Sequence, residues 1–140
     1  MIKFKKFFAG NKEYGPLALR LVAAWRLIAG VWAYAFFAKP ITEVKGFFQH
    51  LGIPFPFASA YISVYAQLVC GVLFAIGLWI RPAALLMIIN FIVAILAAHL
   101  NDAVTTSFAA WALLAISISL LFFGAGKISI DNFRRKSLRS

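Results

Sequence analysis

The sequence predicts an all-α integral membrane protein, a four-helix transmembrane bundle with a short interfacial helix in its first outer loop. Three observations carry this reading. Hydrophobic residues make up 64% of the 140 residues and charged residues 13%, where soluble domains hold about half and about a quarter. A soluble chain this short buries too small a fraction of its surface to hide such a load. The apolar residues also fall in four runs, each close to the ~20 residues that cross a bilayer. Finally, most of the +10 net charge lies outside those runs, in Lys3, Lys5, Lys6 and Lys12 before the first and Lys127, Arg134, Arg135, Lys136 and Arg139 after the last.

The runs occupy about residues 17–37, 58–79, 82–100 and 106–123, with residues 1–16 and 124–140 as basic tails of a single membrane domain. In hydrocarbon an unpaired backbone group is too costly to persist, so the runs must be helices. Ile80-Arg81-Pro82 joins the second and third as a tight hairpin, since Pro suits the first turn of a helix, where its missing N–H costs nothing. Residues 101–105 form the next short turn, and Thr105 or Thr106 can cap the fourth helix. The connection from Ala38 to Phe57 is longer than most structureless loops. Residues 41–51 within it read as the interfacial helix, stopped by Gly52 and the rigid Ile53-Pro54-Phe55-Pro56 turn.

Orientation follows from the Lys/Arg bias of short loops. With the N-terminus inside, the inner side holds both basic tails and Arg81, and the outer side only Lys39 and Lys45. The expected location is therefore a cytoplasmic (inner) membrane with both termini cytoplasmic. Tyr14, Tyr61 and Trp79 sit where interfacial aromatic belts form. The start of the chain, with Ala33-Tyr34-Ala35 behind an apolar run, has the outline of a signal peptide. Arg20 and Arg26 interrupt that run and it is long for a signal, so it is read as a span.

Arg26 is the most informative residue. A span beginning after it would be too short, so it lies inside the slab, about 10 Å from the cytoplasmic edge. A charge there costs roughly 2.5 kcal/mol or more without partners. Glu13, Glu43, Asp102 and Asp131 all fall outside the spans. The neutral residues at hand are Gln67, Asn90, Ser117 and Tyr34. A guanidinium among such groups can cradle an anion or a quinone carbonyl. The competing readings are interhelical hydrogen bonds for the neutral residues and snorkelling to phosphates for Arg26. Arg20, nearer the edge, reads as a snorkelling anchor.

His99 and His50 both fall on the outer side and are candidates for handling protons or for holding a haem or metal, against the plainer reading of each as an interfacial histidine. Neither belongs to a spacing that holds a metal, and P-loop, dinucleotide-binding and Ser/His/Asp signatures are lacking. Cys70, the single cysteine, lies in an apolar run and reads as a small packing residue. Gly71-x-x-x-Ala75 offers a small face for helix packing or for a second copy of the chain. The basic charge is assigned to anionic lipid and topology, not to nucleic acid.

The chain resembles the DoxX family of small four-helix membrane proteins. The matching stretches are Arg26-Leu27-x-x-Gly30, Gly52-Ile53-Pro54-Phe55-Pro56, Cys70-Gly71 through Gly77-Leu78-Trp79-Ile80-Arg81, His99, and Gly124-Ala125-Gly126-Lys127-Ile128-Ser129-Ile130-Asp131. Their order and spacing carry the likeness from about residue 20 to 131. It implies a prokaryotic cytoplasmic-membrane protein, similar to the membrane subunit of thiosulfate:quinone oxidoreductase and to membrane parts of complexes that handle thiol or oxidative stress. Where the family often has a glutamate in helix two, this chain has Gln67, so Arg26 lacks the counter-charge the resemblance implies. Two functions follow: a membrane subunit of a quinone-linked redox complex, with quinone as its cofactor, or a non-catalytic scaffold, assembly or lipid-interacting module. The partners expected are the lipid bilayer, other subunits of such a complex and a further copy of the chain. Whether the chain is an enzyme stays open at this point.

Overall fold

The four apolar runs are helices. They are α1 (Gly15–Phe36), α2 (Pro56–Ile76), α3 (Ile80–Ala98) and α4 (Val104–Phe123), and a short α5 (Ile130–Ser137) follows. The structure is a computed structural model and describes residues 14–36, 41, 45–46, 48–49, 52–98 and 104–138. With 22, 21, 19 and 20 residues, each long helix is about 30 Å long, the thickness of a bilayer's hydrocarbon core. α1 and α2 are long and apolar enough to cross a membrane, and α3 and α4 carry the shorter apolar stretches Ile80–Leu96 and Ser107–Phe123.

The boundaries shift by a few residues from those the sequence predicts, each for a local reason. α2 stops at Ile76, not Trp79, because Gly77 turns left-handed (φ 75°) and its N–H bonds back to the Leu73 carbonyl. Glycine tolerates that conformation and so ends the helix. The hairpin is thus Gly77-Leu78-Trp79, and α3 begins at Ile80 with Pro82 inside its first turn. α4 begins at Val104, ahead of the two threonines expected to cap it. Of the expected interfacial helix over 41–51, Lys45, Gly46, Phe48 and Gln49 are helical, Ile41 lies in a turn and its carbonyl accepts from Lys45 N–H at 2.9 Å, and the rest lies outside the described residues. Residues 124–140, expected to be a basic tail, carry a further helix, α5.

α1 packs most extensively on α2 and α3 on α4, with smaller contacts between α2 and α3 and between α1 and α4. The faces that meet are small. Ala23, Ala24, Ala60, Ala83 and Ala84 are buried, while a Cβ added at Gly71 would lie 2.8 Å from the Ile28 side chain. This places the Gly71 face against α1, the close backbone approach that drives packing where lipid removes the hydrophobic drive. Cys70 is buried beside it. Larger side chains fill the centre, with Leu27, Phe74, Met87, Phe91 and Leu120 in one cluster; Val31, Ile41, Ala60 and Val64 form a second, outer one. Trp25, Trp32, Val69, Ile89, Trp111 and Phe122 point outward. Small residues where helices meet and large apolar ones on the outer faces suit a bundle whose solvent is hydrocarbon.

Candidate functional site at the basic end of the bundle

The start of α1, the α2–α3 hairpin, the end of α4 and α5 meet at one end of the bundle. Arg20, in the second turn of α1, organises the junction. It shares the helical phase of the buried Ala23, Ala24, Leu27 and Val31 and is itself only 2% exposed. Its Nη1 donates to the Ala125 carbonyl at 2.7 Å and its Nη2 to the Ala75 carbonyl at 3.5 Å. The Ala75 carbonyl belongs to the last turn of α2, where no backbone donor remains to meet it. The snorkelling anchor expected at Arg20 is therefore corrected: the guanidinium turns inward and ties three helices by their ends. Its Nε is buried without a partner. Gly77 makes room for it, since a Cβ there would lie 2.5 Å from Arg20 Nη1 and 2.7 Å from Ser129 Cβ.

The segment after α4 completes the junction. Gly124 and Gly126 both turn left-handed (φ 74°), and Gly124 N–H bonds to the Leu120 carbonyl to end α4. Ser129 caps α5 by accepting from Asn132 N–H at 3.1 Å, and its hydroxyl donates to the Gly126 carbonyl at 2.9 Å. Asp131 reaches across to the hairpin. Its Oδ1 accepts from Trp79 N–H at 3.1 Å and its Oδ2 from Ile80 N–H at 3.3 Å, while its own N–H donates to the Gly77 carbonyl at 3.1 Å. A carboxylate thus caps the start of α3, where helix-end donors and the dipole favour negative charge. It also holds Trp79 in its left-handed conformation (φ 50°), an uncommon one for a bulky residue. Asp131 acts on Arg20 through space as its counter-charge.

Beside this junction runs an open groove of about 730 Å³. Arg81, Lys127 and Arg135 line it with Asp131, and Pro16, Trp79 and Phe123 give it apolar walls. Among the described residues Arg20, Arg81, Lys127, Arg134, Arg135 and Lys136 belong to this end and Lys45 to the other.

The residues singled out in the sequence do not gather around Arg26. Arg26 is exposed on α1, and its guanidinium lies along its own helix, Nη1 3.5 Å from where a Gly30 Cβ would be. It extends toward the outer end, away from the basic one, and makes no hydrogen bond or ion pair among the described residues. Asn90 Oδ1 accepts from the Ser63 hydroxyl at 2.7 Å, and Gln67 Nε2 donates to Ser63 Oγ at 3.4 Å. These three form a polar seam between α2 and α3, the hydrogen-bonding alternative stated for Gln67 and Asn90, and Asn90 Nδ2 stays buried without an acceptor. Ser117 is buried and donates to the Leu113 carbonyl of its own helix at 2.7 Å. Tyr34 packs on the outer cluster with Val31, Ala60 and Val64. His50 and His99 lie outside the described residues.

The sequence reading gives Arg20 another role and assigns none to Ser63 or Asp131. The phase of the buried stripe on α1 was a signal for Arg20. Ser63 at the i−4 position from Gln67 was a weaker one. Asp131 caps a helix more than fifty residues away, and no local pattern announces that.

Set against known protein families, residues 15–100 match DoxX. No curated protein and no solved structure matches the chain. The matched span takes in more than half of the chain, with α1, α2, α3 and the hairpin that Arg20 and Asp131 brace, and the four-helix membrane bundle is the architecture that the resemblance implies. The chain belongs to the DoxX family.

Proposed function

We propose that this membrane protein is a non-catalytic assembly module, whose Arg26 pairs within the bilayer with a carboxylate on a helix of another chain. The observation that carries this is the outward guanidinium of Arg26. It is the twelfth residue of the 22-residue α1, roughly 17 Å from the helix start at ~1.5 Å per residue. Intramembrane charges almost always pair with a partner or face water. The four acids of the chain, Glu13, Glu43, Asp102 and Asp131, all lie outside the spanning helices, so a second copy brings no carboxylate to that depth. The interior supports the same reading: Ser63, Gln67, Asn90 and Ser117 are hydrogen-bonded within the bundle. In Arg26→Leu the partner should be lost from protein purified out of its own membrane, while the bundle unfolds as before. A complex that survives the substitution intact removes this role.

The second reading keeps the quinone-linked redox subunit. Two observations favour it. The Arg26 guanidinium faces the side from which a lipid-soluble quinone arrives, and the Asn90 Nδ2 donor has no acceptor. Native mass spectrometry of the protein released from nanodiscs separates the two. A retained quinone mass, lost on Arg26→Leu, supports the redox subunit; a bound chain supports the assembly module. In both readings the basic end lies in the cytoplasm, the side that the Lys/Arg bias favours, and the cell is prokaryotic, as the resemblance to DoxX implies. A C-terminal fluorescent fusion that stays dark, as such proteins do after export in unfolded form, would reverse that orientation.

A further inference from the structure

We propose that the groove at the basic end is a binding site for the phosphate of an anionic phospholipid. The proposal requires the membrane placement but not the Arg26 reading. Three cations converge on the groove from separate segments: Arg81 in the first turn of α3, Lys127 in the α4–α5 link and Arg135 on α5. Among the described residues that line it the one carboxylate, Asp131, already accepts from two backbone N–H groups of the hairpin. The groove therefore presents a net positive charge beside a carboxylate that is held in place. Its volume of about 730 Å³ falls within the roughly 300–1,000 Å³ range of small-ligand sites.

Its depth selects a lipid over a soluble phosphate. Phe123, the last residue of α4, and Trp79, just ahead of α3, line it and are both exposed. They sit where spanning helices leave the hydrocarbon, so apolar walls meet acyl chains while the cations stand at phosphate level. α5 holds the groove at that level. Its Phe133 is 79% exposed and the following Leu138 85%, next to Arg134, Arg135 and Lys136, the composition of a helix lying in the interface. Basic pockets at the ends of membrane helices are suited to anionic headgroups, each cation near the surface adding to the attraction.

The test is native mass spectrometry of the full chain in nanodiscs of phosphatidylcholine with a minor fraction of phosphatidylglycerol. The wild-type protein should retain phosphatidylglycerol in preference to phosphatidylcholine. Lys127→Gln with Arg135→Gln should lower that retention by roughly thirtyfold, and Arg135→Gln alone by about fivefold. Arg134→Gln with Lys136→Gln removes the same charge from α5 residues that do not line the groove, and should lower retention by a clearly smaller factor, the share of general surface charge. Equal losses in both double variants would reduce the effect to general surface charge and overturn the site. So would equal retention of the two lipids. Displacement of the lipid by millimolar glycerol 3-phosphate would assign the site to a soluble phosphate and overturn the lipid assignment. Because Arg26 is untouched, failure here leaves the assembly reading standing, and failure of that reading leaves this one.

Discussion

Two arginines on α1, six positions apart, show how differently one helix treats the same side chain. Arg20 is buried at the basic end, donating to carbonyls of two other segments. Arg26 is exposed in the middle of the span and lies along its own helix. Six residues turn a helix through about 600°, which leaves the two roughly 120° apart around the axis. Depth gives the cost of a charge, but helical phase decides whether the bundle or its surroundings meet that cost. Arg20 therefore holds the fold together, and Arg26 is available to something outside it.

The sharpest way to break this contrast is to remove Arg20. Arg20→Leu relieves the desolvation of a buried cation but leaves the Ala125 and Ala75 carbonyls without their donor. Losing hydrogen bonds to a charged group and leaving buried acceptors unmet outweighs the relief, for a net loss of about 3 kcal/mol. Thermal unfolding in lipid nanodiscs should show a fall in Tm larger than that of any other single substitution along the bundle's polar ties. Arg20→Lys should recover only part, because a single ammonium lacks the planar fork that reaches two carbonyls. An unchanged Tm in Arg20→Leu would mean that the junction does not hold the fold.

Gly77→Ala attacks the same joint from the other side. The added methyl meets Arg20 Nη1 and Ser129 Cβ, and the residue must still adopt φ 75°. A non-glycine residue in that conformation costs of order 1–3 kcal/mol, so about 2 kcal/mol is expected. If the fall in Tm matches that of an alanine substitution at the open Gly15, the close approach is unimportant.

Much of this architecture was legible in the sequence, because lipid leaves so few solutions. Runs near twenty residues must be helices, and Gly and Pro mark where they stop. The hairpin moved from Ile80-Arg81-Pro82 to Gly77-Leu78-Trp79 because a left-handed Gly ends a helix more firmly than a first-turn Pro begins one. The site was less legible. The sequence offers Gln67, Asn90, Ser117 and Tyr34 as neutral neighbours for Arg26, yet position along a span carries no information on azimuth. Ser117 turned to its own backbone, and Asn90 found Ser63, a residue too ordinary to attract notice. The Asp131 cap depends on a chain reversal after α4 that no period in the sequence encodes.

Asp131→Asn tests that long-range cap. The amide keeps one acceptor oxygen for Trp79 or Ile80, but loses the other and the charge that favours the start of α3. About 1–2 kcal/mol should disappear, and Trp79 fluorescence should shift as the hairpin loosens, read in a background in which Trp25, Trp32 and Trp111 are replaced by Phe. Ser63→Ala probes the polar seam and should cost less, about 0.6 kcal/mol, the mean found for hydrogen bonds between membrane helices. A larger loss would make the seam, not the basic junction, the principal tie between α2 and α3.

The smallest expected effect on stability is that of Arg26→Leu. With no partner among the described residues, the guanidinium contributes no contact that unfolding would break, and in hydrocarbon its removal relieves a cost. The Tm of the isolated bundle should stay level or rise, within about 0.5 kcal/mol, as for substitutions away from structural contacts. In protein drawn from its own membrane the same substitution should cost the bound partner. Only this pairing of outcomes separates an outward-facing binding residue from a structural one. A fall in Tm comparable to that of Arg20→Leu would show that Arg26 is held inside the bundle after all, and the difference between the two arginines would vanish.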